Sequence, residues 1–305
     1  LTKYHGKTMP GIDEDHLFKV RNPGKLLGSS RQFLQHGESG LPISDLFPNL
    51  SRHADDIAVL RSCYADSFAH GSGMLQMNTG MVRQGYPSLG SWAVYGLGSE
   101  NQNLPGYVLL RPPGVFHSGG AMQMTNGWLP AIYRGTELRS EGDPVLNLRR
   151  ADTQPPGAQQ NSLQLLGQLN QIQRQRFPDE TVLDARIKNY ELAARMQLTA
   201  SAELDLSSET KETQLLYGLD NPETAPYGRQ LMLARRLVER GVRFVQVLSP
   251  GGHNVWDHHS KLNDNLPAIC RRTDLPAAAL ITDLKRRGLL DQTIVIWTGE
   301  FGRLP

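Results

Sequence analysis

The strongest constraint on the fold lies in the last hundred residues, where helical and strand patterns alternate. Residues 227–241 carry an amphipathic helical pattern that stops at Gly241, and 242–248 (VRFVQVL) read as a strand. Residues 274–288 predict a second helix with Pro276 in its first turn, and 293–297 (TIVIW) form a continuous apolar strand. Apolar strands separated by helices in this way predict a parallel sheet covered on both faces. Ligands of such sheets bind beyond the carboxyl ends of the strands. That rule selects three loops, 62–73, 249–260 and 298–303.

The rest of the chain is less regular. Residues 1–50 read as loops with a short helix over 28–36. Residues 56–61 (DIAVLR) and 107–111 (YVLLR) read as strands. The segment 62–73 leads into a helix at 74–78, and a further helix is expected over 86–96. Residues 112–160 are dense in Gly, Pro, Asn and Thr and predict a long irregular excursion. From 161 to 203, apolar residues at helical spacing (Leu163, Leu166, Leu169, Ile172, then Val182, Ala185, Ile187, Leu192) predict two helices separated at Pro178. A hairpin whose apolar stripe packs on the body is favoured over a coiled-coil partner surface, because neither helix sustains several heptads.

Composition removes several classes. The chain has 305 residues, enough for one large domain or two medium ones. Its 32 basic and 30 acidic residues leave a net charge of +2 with no long basic run, which removes the usual footprint of nucleic-acid binding. No stretch of about 18 apolar residues is present to span a membrane. The two cysteines, Cys63 and Cys270, are too few for a disulfide scaffold or a cysteine-built zinc site. No Walker A, HExxH or GxSxG motif occurs, and 96–103 (GLGSENQN) is a turn rather than a dinucleotide fingerprint.

Each selected loop carries candidate chemistry. The loop 251–260 (GGHNVWDHHS) places His253, Asp257, His258 and His259 close together. Asp and His suit a divalent metal or general acid–base work, and the plain alternative is a surface loop with incidental histidines. In an extended loop Asp257 and His259 would face one side and His258 the other. The run 298–303 (TGEFGR) offers Glu300 as a metal ligand or base and Arg303 as an anion ligand, with a simple strand-to-helix turn as the alternative. The 62–73 loop supplies Asp66, Ser67, His70 and Ser72 ahead of a helix whose N-terminus would favour an ionised nucleophile; Ser72 reads most simply as the N-cap. His117, Gly119 and Gly120 could line a pocket in the irregular excursion.

The runs 70–110, 234–247 and 280–303, with the WDHH loop, resemble a bacterial group known as domain-of-unknown-function family 1501. The resemblance covers nearly the whole chain, and the blocks occur in the family's order. That group is similar to the alkaline phosphatase and sulfatase superfamily. The resemblance implies an α/β fold with a doubly wound, mostly parallel sheet and a site at the strand ends. It also implies one such domain over 1–305, interrupted by an irregular and helical insertion over 112–225. In the superfamily a nucleophile opens a helix ten residues before the glycine of a Thr-Gly pair. Here that pair is Thr79-Gly80, and His70 takes the nucleophile position. Asp257 and His259 match the superfamily's metal loop, and Glu300 takes the position of a further metal-binding Asp, with Phe301 replacing a His or Asn.

The function implied is therefore hydrolysis of a small anionic ester, a sulfate or phosphate, with a divalent metal (zinc, calcium or magnesium). His70 and Arg303 would be the catalytic residues, and Asp257, His259 and Glu300 the metal ligands. Other members carry a Gly-Gly and Asp motif upstream and a further histidine downstream. The chain is expected to be an internal fragment that is inactive alone. The alternative is a degenerate, non-catalytic binding or structural protein, favoured by His70 and Phe301. Family members are often exported, which suggests an exported or periplasmic protein.

Overall fold

The computed structural model describes residues 2–8, 25–112, 119–139, 157–178, 180–251 and 255–300. Its centre is a three-stranded parallel sheet of β3 (Tyr107–Arg111), β4 (Thr136–Arg139) and β5 (Phe244–Val247), in the order β4-β3-β5. The middle strand is buried on both sides. Val108 and Leu110 face one cluster with Leu138, Leu233 and Leu237; Tyr107 and Leu109 face another with Met124 and Leu248. This two-sided burial explains why YVLLR is apolar at consecutive positions instead of alternating.

Helices cover both faces. Helix α1 spans His70–Thr79, α2 spans Leu89–Leu97, and α6 spans Ala225–Glu239. Helix α6 supplies Leu233 and Leu237 to the first cluster, whereas Val94 of α2 joins the second. Close approach of α2 depends on Gly90, where an added Cβ would stand 2.6 Å from the Tyr107 ring and 2.7 Å from Phe244. The long α7 (Leu262–Arg286) packs on α6. Its buried Asp274 accepts hydrogen bonds from the backbone N–H of Asn49 (2.9 Å) and Leu50 (2.8 Å), holding the 3-10 turn Leu50–Asp56 against the helix. Among the described residues no helix is long and apolar enough to cross a membrane.

Several expectations are corrected. The helix expected over 28–36 is replaced by an antiparallel hairpin of β1 (Phe33–His36) and β2 (Leu41–Ser44). The GESG sequence makes the turn. Gly37 takes φ +68°, and the Asp55 carboxylate accepts the N–H groups of Glu38 (3.1 Å) and Ser39 (2.8 Å), which hold its carboxyl below the usual range. Among the described residues neither 56–61 nor 293–297 enters a sheet; both lie mostly exposed, with Ile294 88% exposed. An apolar run becomes a strand only where a neighbouring backbone pairs with it. Conversely, β4 lies inside the stretch read as irregular and forms one edge of the sheet, with only Leu138 buried. Helix α7 begins twelve residues before the expected start, at Leu262 rather than Asp274, and contains Pro267 and Pro276. Proline in a helix interior costs about 3 kcal/mol, offset here by a buried face running from Ile269 to Leu284.

The helical hairpin is present as α3 (Ala158–Arg176), α5 (Lys211–Leu216) being a separate short helix, and α4 (Thr181–Glu203). Its stripe divides unequally. Helix α4 buries Ala185, Ile187 and Met196, whereas α3 buries none of its residues, and Leu166, Leu169 and Ile172 are exposed. The α3 stripe therefore does not pack on the body as expected. An ion pair from Arg174 to Asp184 (3.0 Å) ties α3 to α4.

A buried charge cluster joins the C-terminal helices. Arg235 of α6, 1% exposed, meets Glu209 (2.7 Å), Glu239 (2.6 Å) and Asp283 of α7 (2.8 Å). Its Nε and Nη2 reach their carboxylates at ion-pair distance but off the hydrogen-bond axis. Burial opposes the charge on Glu209, but Arg236 and Arg235 outweigh it and hold the carboxyl low. Arg235→Met should destabilise the fold by about 3 kcal/mol, because two buried carboxylates lose a partner. Urea unfolding followed by far-UV circular dichroism measures this, and a loss under about 1 kcal/mol would contradict it.

Candidate active site

Three separate segments meet at one imidazole. His70 is the first residue of α1, where Ala69 is the N-cap and offers no side-chain cap. Its Nδ1 lies 2.8 Å from Glu300 Oε1, and its Nε2 lies 2.9 Å from Asp257 Oδ2. The His70 side chain is 25% exposed, and the two carboxylates are more buried still. His259 Nε2 stands 2.8 Å from the same Asp257 Oδ2, with its own side chain 82% exposed. Burial pulls the His70 pKa down, but hydrogen bonds and charge from Glu300 and Asp257 outweigh it and raise it above the ordinary 6.5.

The surrounding elements explain the convergence. Asp66 and Gln76 bond reciprocally, Asp66 N–H to Gln76 Oε1 (2.8 Å) and Gln76 Nε2 to Asp66 Oδ2 (2.7 Å), so the 62–69 loop is folded onto α1. Trp256 Nε1 donates to Ser249 Oγ at 2.6 Å and pins the loop after β5. Deeper in the core, Gln246 of β5 donates to Asn78 Oδ1 on α1 (2.7 Å) and accepts from the Tyr107 hydroxyl (2.5 Å). This polar chain fixes α1 against the strand that leads to Asp257. No motif marks these three residues; a Gln and a Tyr inside otherwise apolar strands are the only signal.

The loops chosen by the strand-end rule therefore do come together, through His70, Asp257 and Glu300. His259 also joins. Ser72 is not the N-cap: the helix starts two residues earlier, and the Ser72 hydroxyl donates back to the Ala69 carbonyl (3.2 Å). His258 turns away from the Asp257–His259 contact, and its Nε2 is buried without a hydrogen-bond partner among the described residues. Gly119 and Gly120 sit at a 3-10 turn, with Gly119 near Met74 and Gln123. His117, His253, Phe301 and Arg303 lie outside the described residues.

The expected metal ligands do not close on a common point. Asp257 and Glu300 bind opposite nitrogens of His70, so the imidazole lies between them. Among the described residues no group of three His, Cys, Asp or Glu side chains could hold a metal ion. The arrangement instead suits proton transfer: one ring, two carboxylates, and a helix N-terminus that favours negative charge.

These features define an α/β protein with a histidine–carboxylate cluster that includes the loop after β5. A family model for a protein of unknown function, DUF1501, matches residues 1–305, and the chain belongs to that family. No curated protein and no solved structure matches it.

The raised His70 pKa has a signed consequence. Its stabilising contribution is complete below about pH 6.5 and is lost as pH rises through the higher folded value. The gap in urea midpoint between wild type and His70→Gln should narrow from pH 5.5 to pH 9, in the order of magnitude set by a single charge-assisted pair, about 1–3 kcal/mol. A gap that widens with pH would reverse the assignment. Asp257→Asn should also move the His70 ring titration, followed by NMR, to lower pH.

Proposed function

We infer that this site belongs to a hydrolase of phosphate or sulfate esters. The observation that carries this reading is the convergence of His70, Asp257 and Glu300 from segments 187 and 230 residues apart. Asp257 lies in the loop that follows β5, the placement expected of a reactive site in an α/β protein, and the cluster joins it to two distant segments. The α1 N-terminus supports an anionic substrate, and an added Cβ at Gly71 in its first turn would meet nothing within 4 Å, so the approach is open.

The chemistry follows from the proton arrangement. With both ring nitrogens facing carboxylates, His70 is held as a proton donor rather than as a bare nucleophile. Water attacks phosphorus or sulfur and gives a proton to Glu300. The ester bond breaks, and the leaving oxygen takes the Nε2 proton of His70. Nδ1 keeps its own proton, facing Glu300, throughout; Glu300 releases the proton it took to solvent and Nε2 takes one back from solvent, which restores the starting state. Asp257 holds the ring in place and balances its charge. A divalent metal, implied by the superfamily resemblance, enters no step of this scheme.

A panel of aryl phosphate and sulfate esters tests the reading on the full-length protein. His70→Ala and Glu300→Gln should each lower kcat/KM by about 10²–10⁴. Absence of turnover on every ester in a folded, full-length preparation would sink it. Elemental analysis showing stoichiometric divalent metal would replace the proton scheme with a metal-held one. The second reading, a non-catalytic binding or structural protein, is favoured by one observation: both nitrogens of His70 are already engaged within the chain. Turnover by wild type but not His70→Ala would exclude it.

A further inference from the structure

We propose that Thr282, His53 and Asp56 form a second reactive centre, a nucleophile, base and orienting carboxylate that take the acyl group of an uncharged ester. The three side chains bond in a row. His53 Nε2 lies 2.9 Å from Thr282 Oγ1, and its Nδ1 lies 3.2 Å from Asp56 Oδ2. A hydroxyl within reach of an imidazole, itself oriented by a carboxylate, is the arrangement that activates a nucleophile. His53 and Asp56 belong to the 3-10 turn Leu50–Asp56, and Thr282 belongs to α7, 229 residues from His53. The centre shares no residue with the His70 cluster.

The donors fix the protons. Lys285 Nζ donates to both oxygens of Asp56 (2.8 and 3.1 Å), and with His53 it holds that carboxyl below its usual range. The carboxylate only accepts, so Nδ1 carries a proton, and in the neutral ring Nε2 is a bare acceptor facing the hydroxyl. The Thr282 hydroxyl has one proton and a second acceptor, the Ala278 carbonyl, also at 2.9 Å. Rotation about its C–O bond turns a hydroxyl bonded back to the helix into one that donates to the base. Anchoring of the turn does not account for the imidazole. Asp274 already accepts from the N–H groups of Asn49 and Leu50, and Lys285 pairs with Asp56. The row also reaches solvent: Thr282 is half-buried, and the His53 and Asp56 side chains are 13% and 22% exposed.

The reaction balances within these groups and water. Thr282 Oγ1 attacks the ester carbonyl carbon, its proton passes to His53 Nε2, and Asp56 balances the imidazolium. Lys285, exposed and one turn further along α7, supplies the cation for the developing oxyanion. The ester C–O bond breaks, and the alcohol leaves with the Nε2 proton. Water then attacks the acyl-threonine and gives a proton to Nε2, which returns it to Thr282 as the acid departs. The substrate class follows from the surroundings. Residues 57–60 (IAVL) leave the turn directly after Asp56 without a charge, and Val59 and Leu60 are exposed. They offer apolar surface to an acyl chain, whereas the carboxylate of Asp56 disfavours an anionic one.

Labelling of the intact chain with diisopropyl fluorophosphate tests this. The Oγ1–P bond forms, the P–F bond breaks, fluoride leaves and the hydroxyl proton goes to Nε2. Peptide mass spectrometry should place the label on Thr282. Thr282→Ser should keep it, and Thr282→Val, of the same shape without the hydroxyl, should lose it. His53→Gln, with circular dichroism confirming the fold, should slow labelling about 10²-fold or more. His70→Ala should take the label as wild type does. With p-nitrophenyl butyrate, turnover should fall in Thr282→Val. No label on the folded wild type would overturn the proposal, as would a label on Lys285 instead or one that survives Thr282→Val. Labelling of His53→Gln at the wild-type rate would reduce the row to a structural tie. Loss of the label in His70→Ala would overturn a separate centre, and faster turnover of the anionic p-nitrophenyl hemisuccinate would overturn the substrate class.

Discussion

The two-sided burial of β3 is the constraint on which the rest of the structure depends. A strand with Tyr107, Val108, Leu109 and Leu110 all buried needs a paired backbone on each edge and an apolar layer on each face. β4 and β5 supply the edges, and α6 and α2 supply the faces. Once β5 is parallel to β3, its chain leaves the sheet at the same end as that of β3, and the segment that follows carries Asp257 to His70. The site is thus a consequence of strand direction as much as of local sequence.

The two polar arrangements in the core do different work. The Arg235 cluster locks α6 to α7 through Asp283. The Asn78–Gln246–Tyr107 chain sits between α1 and the sheet and fixes how the His70 helix lies. Burial of an amide such as Gln246 is tolerated because both ends of its side chain are bonded.

Much of this was legible in the sequence, and the failures share a cause. β3, β5, α6 and α4 follow from apolar patterns that packing preserves, and α3 from a helical spacing whose stripe stays exposed. The runs 56–61 and 293–297 carry the same apolar signal, but pairing is a property of the neighbour and cannot be read from the run itself. β4 was hidden for the opposite reason: TELR buries only Leu138, so an edge strand looks like a loop. At the site, the strand-end rule pointed to the loops of His70, Asp257 and Glu300, but only Asp257 follows a strand of the sheet, and the sequence did not show that one imidazole would lie between the two carboxylates. That depends on the angle of α1, which is set by Gln246 and Tyr107 far away in sequence.

The contacts of His70 also have a kinetic meaning. They close loops of 187 and 230 residues, whereas the β1–β2 hairpin and the α3–α4 pair close locally. Contacts of long sequence separation form late, because the chain entropy must be lost before they reward it. The imidazole is therefore among the last groups to find its partners as the chain folds. Until Asp257 and Glu300 arrive, His70 lacks both of its carboxylate partners, and the cluster is complete only at the end of folding.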